Sequence, residues 1–287
     1  MRIAYLITAY RDFDHLSRLI EKILTPETEI FVHIDAKIEY NLSIALKDND
    51  RVHILEDRFL VTWGGFNLTL AFMALMSECR ASGTYDQVFL ISGADFPLVS
   101  NDEISAFVAA NKDLIFLEYF EIPYAKWTGS NGGIDRYELE WPVDDIGKDT
   151  AEEYAWQQKE AGIRRAFPAG LKPYGGSCWW TMPSAVLEYL CDYFTDNFDW
   201  IYPYFRTVLL ADEILIPTVI MNSPYKRKVI NNNLRYIDWV TGPASPKILT
   251  MDDLPLLKAS GCLFARKFIP AIDSEVIDQL EQSIMLT

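Results

Sequence analysis

The first 120 residues alternate short β-branched runs with stretches of helical period, and this alternation is the tightest constraint on the fold. Ile3 to Thr8 reads as a buried strand, and Leu16, Leu19, Ile20 and Ile23 mark one face of the helix after it. Further strands are predicted at 29–34, 51–55, 87–92 and 114–120. Between them lie a Leu-, Ala- and Met-rich helix over 68–79 and a Ser100–Glu103 capping box that opens a helix to Asn111. Alternation at this spacing builds a largely parallel sheet with helices on its faces. Such sheets take ligands in the crevice beyond the carboxyl ends of their strands.

Residues 121–175 carry Pro, Gly, Trp and mixed charge with no sustained period, which predicts an insertion near a site or a mobile lid. Beyond them the pattern gives a strand at 177–181, a helix over 185–193 and a helix opening near Asp212. Strand-like pieces follow at 228–230, 234–238 and 262–268, and a docked helix closes the pattern over 274–285. With no repeat, linker or low-complexity tract, a single domain over residues 1–287 is expected.

Twenty-six basic against 41 acidic residues give a formal charge of −15, a field that repels nucleic acid and anionic membranes. No apolar run reaches the roughly 18 residues of a membrane span. The first residues read as a strand rather than a signal peptide. Four scattered cysteines without a CxxC pair suggest neither a zinc site nor a disulfide scaffold, so an intracellular globular protein is expected. The charge is unevenly spread. Residues 226–267 hold eight basic side chains and three acids, a net of +5 that leaves −20 elsewhere. A basic pocket on an acidic body suits a small polyanion such as a nucleotide diphosphate, although surface lysines also cluster by chance.

Within that stretch, Arg266 and Lys267 are adjacent on a strand, so at least one faces inward unless the strand is an edge. Glu213 follows Asp212, which resembles an N-cap; a carboxylate in a first helical turn can serve as general base or simply cap the helix. Pro217 should kink that helix or confine it to one turn. Asp35 ends a strand, where it can meet a nucleobase or ribose or satisfy turn amides. Asp95, in Ser92-Gly-Ala-Asp95, is a lone acid where a metal-binding Asp-x-Asp would stand, which favours a metal-independent site. There is no GxSxG, GxGxxG or P-loop.

Taken together, Val32-His-Ile-Asp35 with Lys37, Thr62-Trp-Gly-Gly65, Leu90-Ile-Ser-Gly-Ala-Asp-Phe-Pro-Leu98, Gly175-Gly-Ser-Cys-Trp-Trp180, Ala211-Asp-Glu213, Asn222-Ser-Pro224, Asn232-Asn-Leu-Arg235 with Trp239, and Phe264-Ala-Arg-Lys-Phe268 resemble the core-2/I-branching β-1,6-N-acetylglucosaminyltransferases and peptide O-xylosyltransferases. The resemblance implies a GT-A-type α/β fold, with residues 1–120 as the nucleotide-binding half and 121–287 as the acceptor and diphosphate half. It also implies a UDP-sugar donor, a glycan or glycoconjugate acceptor, inversion at the anomeric carbon and no metal. N-acetylglucosamine is the first expected sugar and xylose the second; a catalytically silent carbohydrate-binding member is the alternative of another class.

By the same resemblance Glu213 is the general base, Arg266 and Lys267 bind the diphosphate, and Asp35 contacts the uridine. Arg235 and Lys247 of the basic stretch are further donor-binding candidates. Asp95, Arg136, Trp179, Trp180, Asp238 and Trp239 are candidates for sugar or acceptor contacts, with the tryptophans equally readable as core. Animal members carry a membrane anchor and lumenal disulfides; their absence from this chain suggests a bacterial-type member in the cytoplasm, with peripheral membrane association left open.

Overall fold

The computed structural model describes residues 1–42, 44–168, 170–240 and 245–285. In chain order the elements are β1 (Ile3–Ala9), α1 (Phe13–Ile23), β2 (Thr28–Ile34), α2 (Ile44–Lys47), β3 (Val52–Ile54), α3 (Asn67–Ser82), β4 (Gln87–Ser92), β5 (Asp95–Pro97), α4 (Asn101–Asn111) and β6 (Ile115–Glu121). There follow α5 (Ile134–Glu138), α6 (Val143–Ile146), α7 (Lys148–Glu160), β7 (Tyr174–Met182), α8 (Ser184–Phe205), α9 (Leu215–Met221), β8 (Val229–Ile230), β9 (Arg235–Ile237), α10 (Leu254–Ala259), β10 (Phe264–Arg266) and α11 (Glu275–Met285).

Seven strands form one mixed sheet in the order β3-β2-β1-β4-β7-β6-β8. It is parallel except where β7 runs antiparallel between β4 and β6. The expected mostly parallel α/β sheet is therefore present, and both halves of the chain contribute strands to it. Period-two alternation explains its two cores. Ala4, Leu6, Val88 and Leu90 point to the face covered by α3, α8 and α9, whereas Ile3, Tyr5, Ile7, Phe89 and Ile91 point to the face covered by α1 and α11. The capping box is as expected: Ser100 Oγ accepts from the Glu103 amide while Glu103 Oε2 accepts from the Ser100 amide.

Residues 121–175 are more regular than their sequence suggests, since α5, α6 and α7 fall there. One of their tasks is visible at Gly65, whose missing Cβ would lie 2.2 Å from Asp144 Oδ1. The gap lets Asp144 Oδ2 accept from the Asn67 amide at 2.9 Å and cap α3 from another helix. Among the described residues no helix is long and apolar enough to cross a membrane.

Candidate active site

A second, three-stranded sheet in the order β5-β10-β9 lies beyond β4 and assembles the basic side of the site. Antiparallel pairing sets Arg266 opposite Asp95, and parallel pairing sets it beside Ile237. Arg266 Nε forms an ion pair with Asp95 Oδ1 at 3.2 Å, and the same oxygen accepts from Ser92 Oγ at 2.6 Å. The Arg266 guanidinium stacks 4.3 Å above the Trp179 ring. Lys267, just past the strand, donates to Tyr10 Oη at 3.3 Å. Of the pair, Arg266 is the one held by a buried carboxylate.

Several candidates stand elsewhere than expected. Arg235 is 5% exposed and donates to the carbonyls of Leu90, Trp180 and Asn233 and to Thr181 Oγ1. It braces β4, β7 and β9 from within instead of facing a donor, and burial lowers its pKa to about 10. Lys247 Nζ is held by Asp253 Oδ1 at 2.5 Å, so its charge is already partnered. Trp180 is fully buried core, and the face of the buried Trp179 is taken by Arg266. Asp35 takes the turn-amide role, its Oδ1 accepting from the Lys37 amide at 3.1 Å and the Val61 amide at 3.4 Å. Asp238 Oδ1 accepts from the Val240 amide beside Trp239, which is 54% exposed after β9.

Glu213 closes a 3-10 turn, Ala211–Glu213, rather than opening a helix. The helix begins at Leu215, so Pro217 falls in the first turn of α9, where its missing N–H has no intrahelical partner, and no kink results. The turn is pinned from behind. Leu210, left-handed at φ 53°, donates its amide to Gly64 O, and Leu209 donates to Arg136 O, both at 2.9 Å. An L-residue is held in this sparsely populated conformation only when its surroundings over-determine it.

The Glu213 side chain is 22% exposed, and its Oε2 accepts from Arg136 Nη1 at 2.7 Å. Burial raises its pKa above the usual carboxylate range, and the Arg136 charge offsets part of that rise. Asp212, 4% exposed and no cap, is pushed up to about 7 by burial and by the charge of Glu213. Glu118 on β6 is also raised, by burial and then by the same Glu213 charge. Sequence reasoning passed over Glu118, whose only signal is one acid midway along an apolar strand, and it read Asp212 as a cap. The two sides of the site flank β7: Arg266 stacks on Trp179, and the Ala211–Glu213 turn packs against the same strand.

A mixed α/β sheet thus stands beside a held guanidinium and a cluster of buried carboxylates. The chain belongs to the Core-2/I-Branching enzyme family, whose model matches residues 3–256. It is 25% identical to xylosyltransferase 2 of Rattus norvegicus over 303 residues and to xylosyltransferase oxt of Drosophila melanogaster over 306, each alignment covering 98% of this chain. The chain spans about a third of the length of these relatives, 33% in both cases. Among solved structures, Staphylococcus aureus TarS 1-349 in complex with UDP-GlcNAc matches with a TM-score of 0.29 at 17% identity, covering 41% of this chain and 34% of that one.

Proposed function

We propose that the chain is an inverting, metal-independent glycosyltransferase that moves a sugar from a UDP-sugar to a hydroxyl of a glycan or glycoconjugate acceptor. The observation that carries this reading is geometric: Arg266, tied to Asp95, stacks on Trp179 of β7, and the turn that holds Asp212 and Glu213 packs against the same strand. A cation and a carboxylate of raised pKa held beside one strand are what a displacement at a sugar carbon needs. As the glycosidic bond breaks, negative charge grows on the departing diphosphate. Arg266 meets that charge already oriented by Asp95 and Trp179, so no reorganisation is required, and Lys267 adds a second cation at the mouth. Asp95, engaged by Arg266 and Ser92, supports a guanidinium in the role a metal would otherwise fill.

On the other side Glu213 takes the proton of the attacking hydroxyl. Its raised pKa gives it more affinity for that proton than an exposed carboxylate has. One displacement with one base inverts the anomeric centre and leaves no glycosyl-enzyme intermediate. The exposed face of Trp239 offers a platform for an acceptor sugar. Asp35 shapes the uridine end through the loop it ties down at Lys37 and Val61. The motifs suggest N-acetylglucosamine as the donor sugar, while the similarity to proteins named xylosyltransferases favours xylose.

The test is UDP release from UDP-xylose and from UDP-N-acetylglucosamine in excess EDTA, with mass spectrometry of the products. Release from one of them, unchanged by EDTA, is the expected result. Release that stops on chelation would overturn the metal-free part, and no release from any UDP-sugar would overturn the donor class.

A further inference from the structure

We propose that Arg136, backed by Trp127, is the positioning residue of Glu213, aiming one carboxylate oxygen at the acceptor and keeping the group ionised until the proton is taken. The inference rests on the reading of Glu213 as base and adds a device from the segment that the sequence left unassigned.

The geometry is a stack of three side chains. Arg136 Nη1 lies 2.7 Å from Glu213 Oε2, and among the described residues Arg136 is the only donor to that side chain. The guanidinium carbon sits 3.5 Å from the centroid of Trp127, so the ring covers one face of the cation. Trp127 is itself fixed, with the Phe120 ring edge-on at 4.8 Å and 90°. Two glycines make room for it. A Cβ at Gly133 would come within 2.5 Å of Trp127 Cε3, and one at Gly175 within 2.7 Å of Trp127 Cη2. Gly133 also has φ +96°, which turns the chain into α5. The first Gly of Gly175-Gly-Ser therefore serves the base indirectly, by admitting the ring that backs the arginine.

The charges facing Glu213 explain why a cation is needed there. Glu118 from β6 and Asp212 from its own turn present like charge, and Cys178 from β7 presents a buried neutral thiol. Arg136 from α5 is the opposing positive charge. Without it, burial and two neighbouring acids would hold the Glu213 proton in place, and the base would be inactive at neutral pH. A salt bridge to Oε2 also leaves Oε1 to face the incoming hydroxyl.

The experiment is the pH profile of kcat/KM for hydrolysis of the active UDP-sugar by wild type, Arg136→Gln, Arg136→Lys and Trp127→Phe. Arg136→Gln should move the acidic limb upward by about one pH unit or more, giving roughly a tenfold loss near pH 6 that closes toward pH 9. Arg136→Lys should keep the limb near that of wild type with a lower kcat, and UDP affinity by calorimetry should change little in either variant. Trp127→Phe, which keeps an aromatic face, should fall between them and carries the test if Arg136→Gln does not fold. A limb that stays put, with a loss equal at every pH, would overturn the proposal. Glu213→Gln with wild-type hydrolysis would instead remove the base reading itself, so the two failures are distinguishable.

Discussion

Arg266 lies directly across from Asp95 in the antiparallel pairing of β5 and β10, its Nε 3.2 Å from a carboxylate that is wholly shielded from solvent. Neither residue is near the other in sequence, and each would be costly to bury alone. Asp95→Ala should therefore strand the guanidinium and cost about 3–5 kcal/mol, read as a fall in Tm. Arg266→Ala should weaken UDP binding by about tenfold or more in calorimetry while uridine binding changes little. Equal weakening of both would place Arg266 away from the diphosphate.

Glu213→Gln keeps the size of the side chain and can still meet Arg136, so UDP affinity should be nearly intact. Turnover should fall by about 10²–10⁴, the contribution of a positioned general base. Single-turnover measurements with saturating donor would separate loss of chemistry from loss of binding.

The raised pKa of Asp212 makes a signed prediction about stability. Its folded value of about 7 lies above its ordinary value of 3.8, so the folded protein binds this proton more tightly than the unfolded chain. Stability from this group is therefore present at low pH and is lost as pH rises from about 4 to about 7. Asp212→Asn removes the dependence and should raise Tm by a few degrees at pH 8 while leaving it unchanged near pH 4. A gain of equal size at both pH values would mean that shape rather than charge is responsible.

Gly176 faces the irregular register between Leu117 and Tyr119 of β6, and a Cβ there would lie 2.0 Å from the Glu118 carbonyl oxygen. Backbone cannot yield as a side chain can, so Gly176→Ala should destabilise by about 1–3 kcal/mol. Gly129→Ala, where a Cβ meets nothing within 4 Å, is the control and should melt with wild type. Thermal unfolding of the pair checks this.

Periodicity carried much of the fold, because side chains that alternate along β1 and β4 must be apolar on both faces of a covered sheet. It could not reveal β5, whose three residues are too few to show a period and which pairs with a strand far along the chain. The same shortness explains Arg235. On a three-residue strand, alternation does not tell which side opens to the crevice, and this side chain went beneath the sheet to carbonyls instead. Glu213 and Arg266 stood out through local motifs. Arg136 did so weakly, because its role depends on the 2.7 Å meeting of two segments that share no period.

The placement of β7 also sets the order in which the molecule can be built. β4 is paired with β1 on one side and β7 on the other, and β6 reaches the sheet only through β7. A chain emerging from the ribosome can therefore close β3-β2-β1-β4 early, but it must carry the apolar outer edge of β4 unpaired until residue 182 is made. β6, synthesised long before, waits without its neighbour. Long-range pairing of this kind is slow, and exposed strand edges recruit other chains. Expression of fragments ending before β7 should yield aggregate, and slowing synthesis between β6 and β7 should lower the yield of native full-length chain.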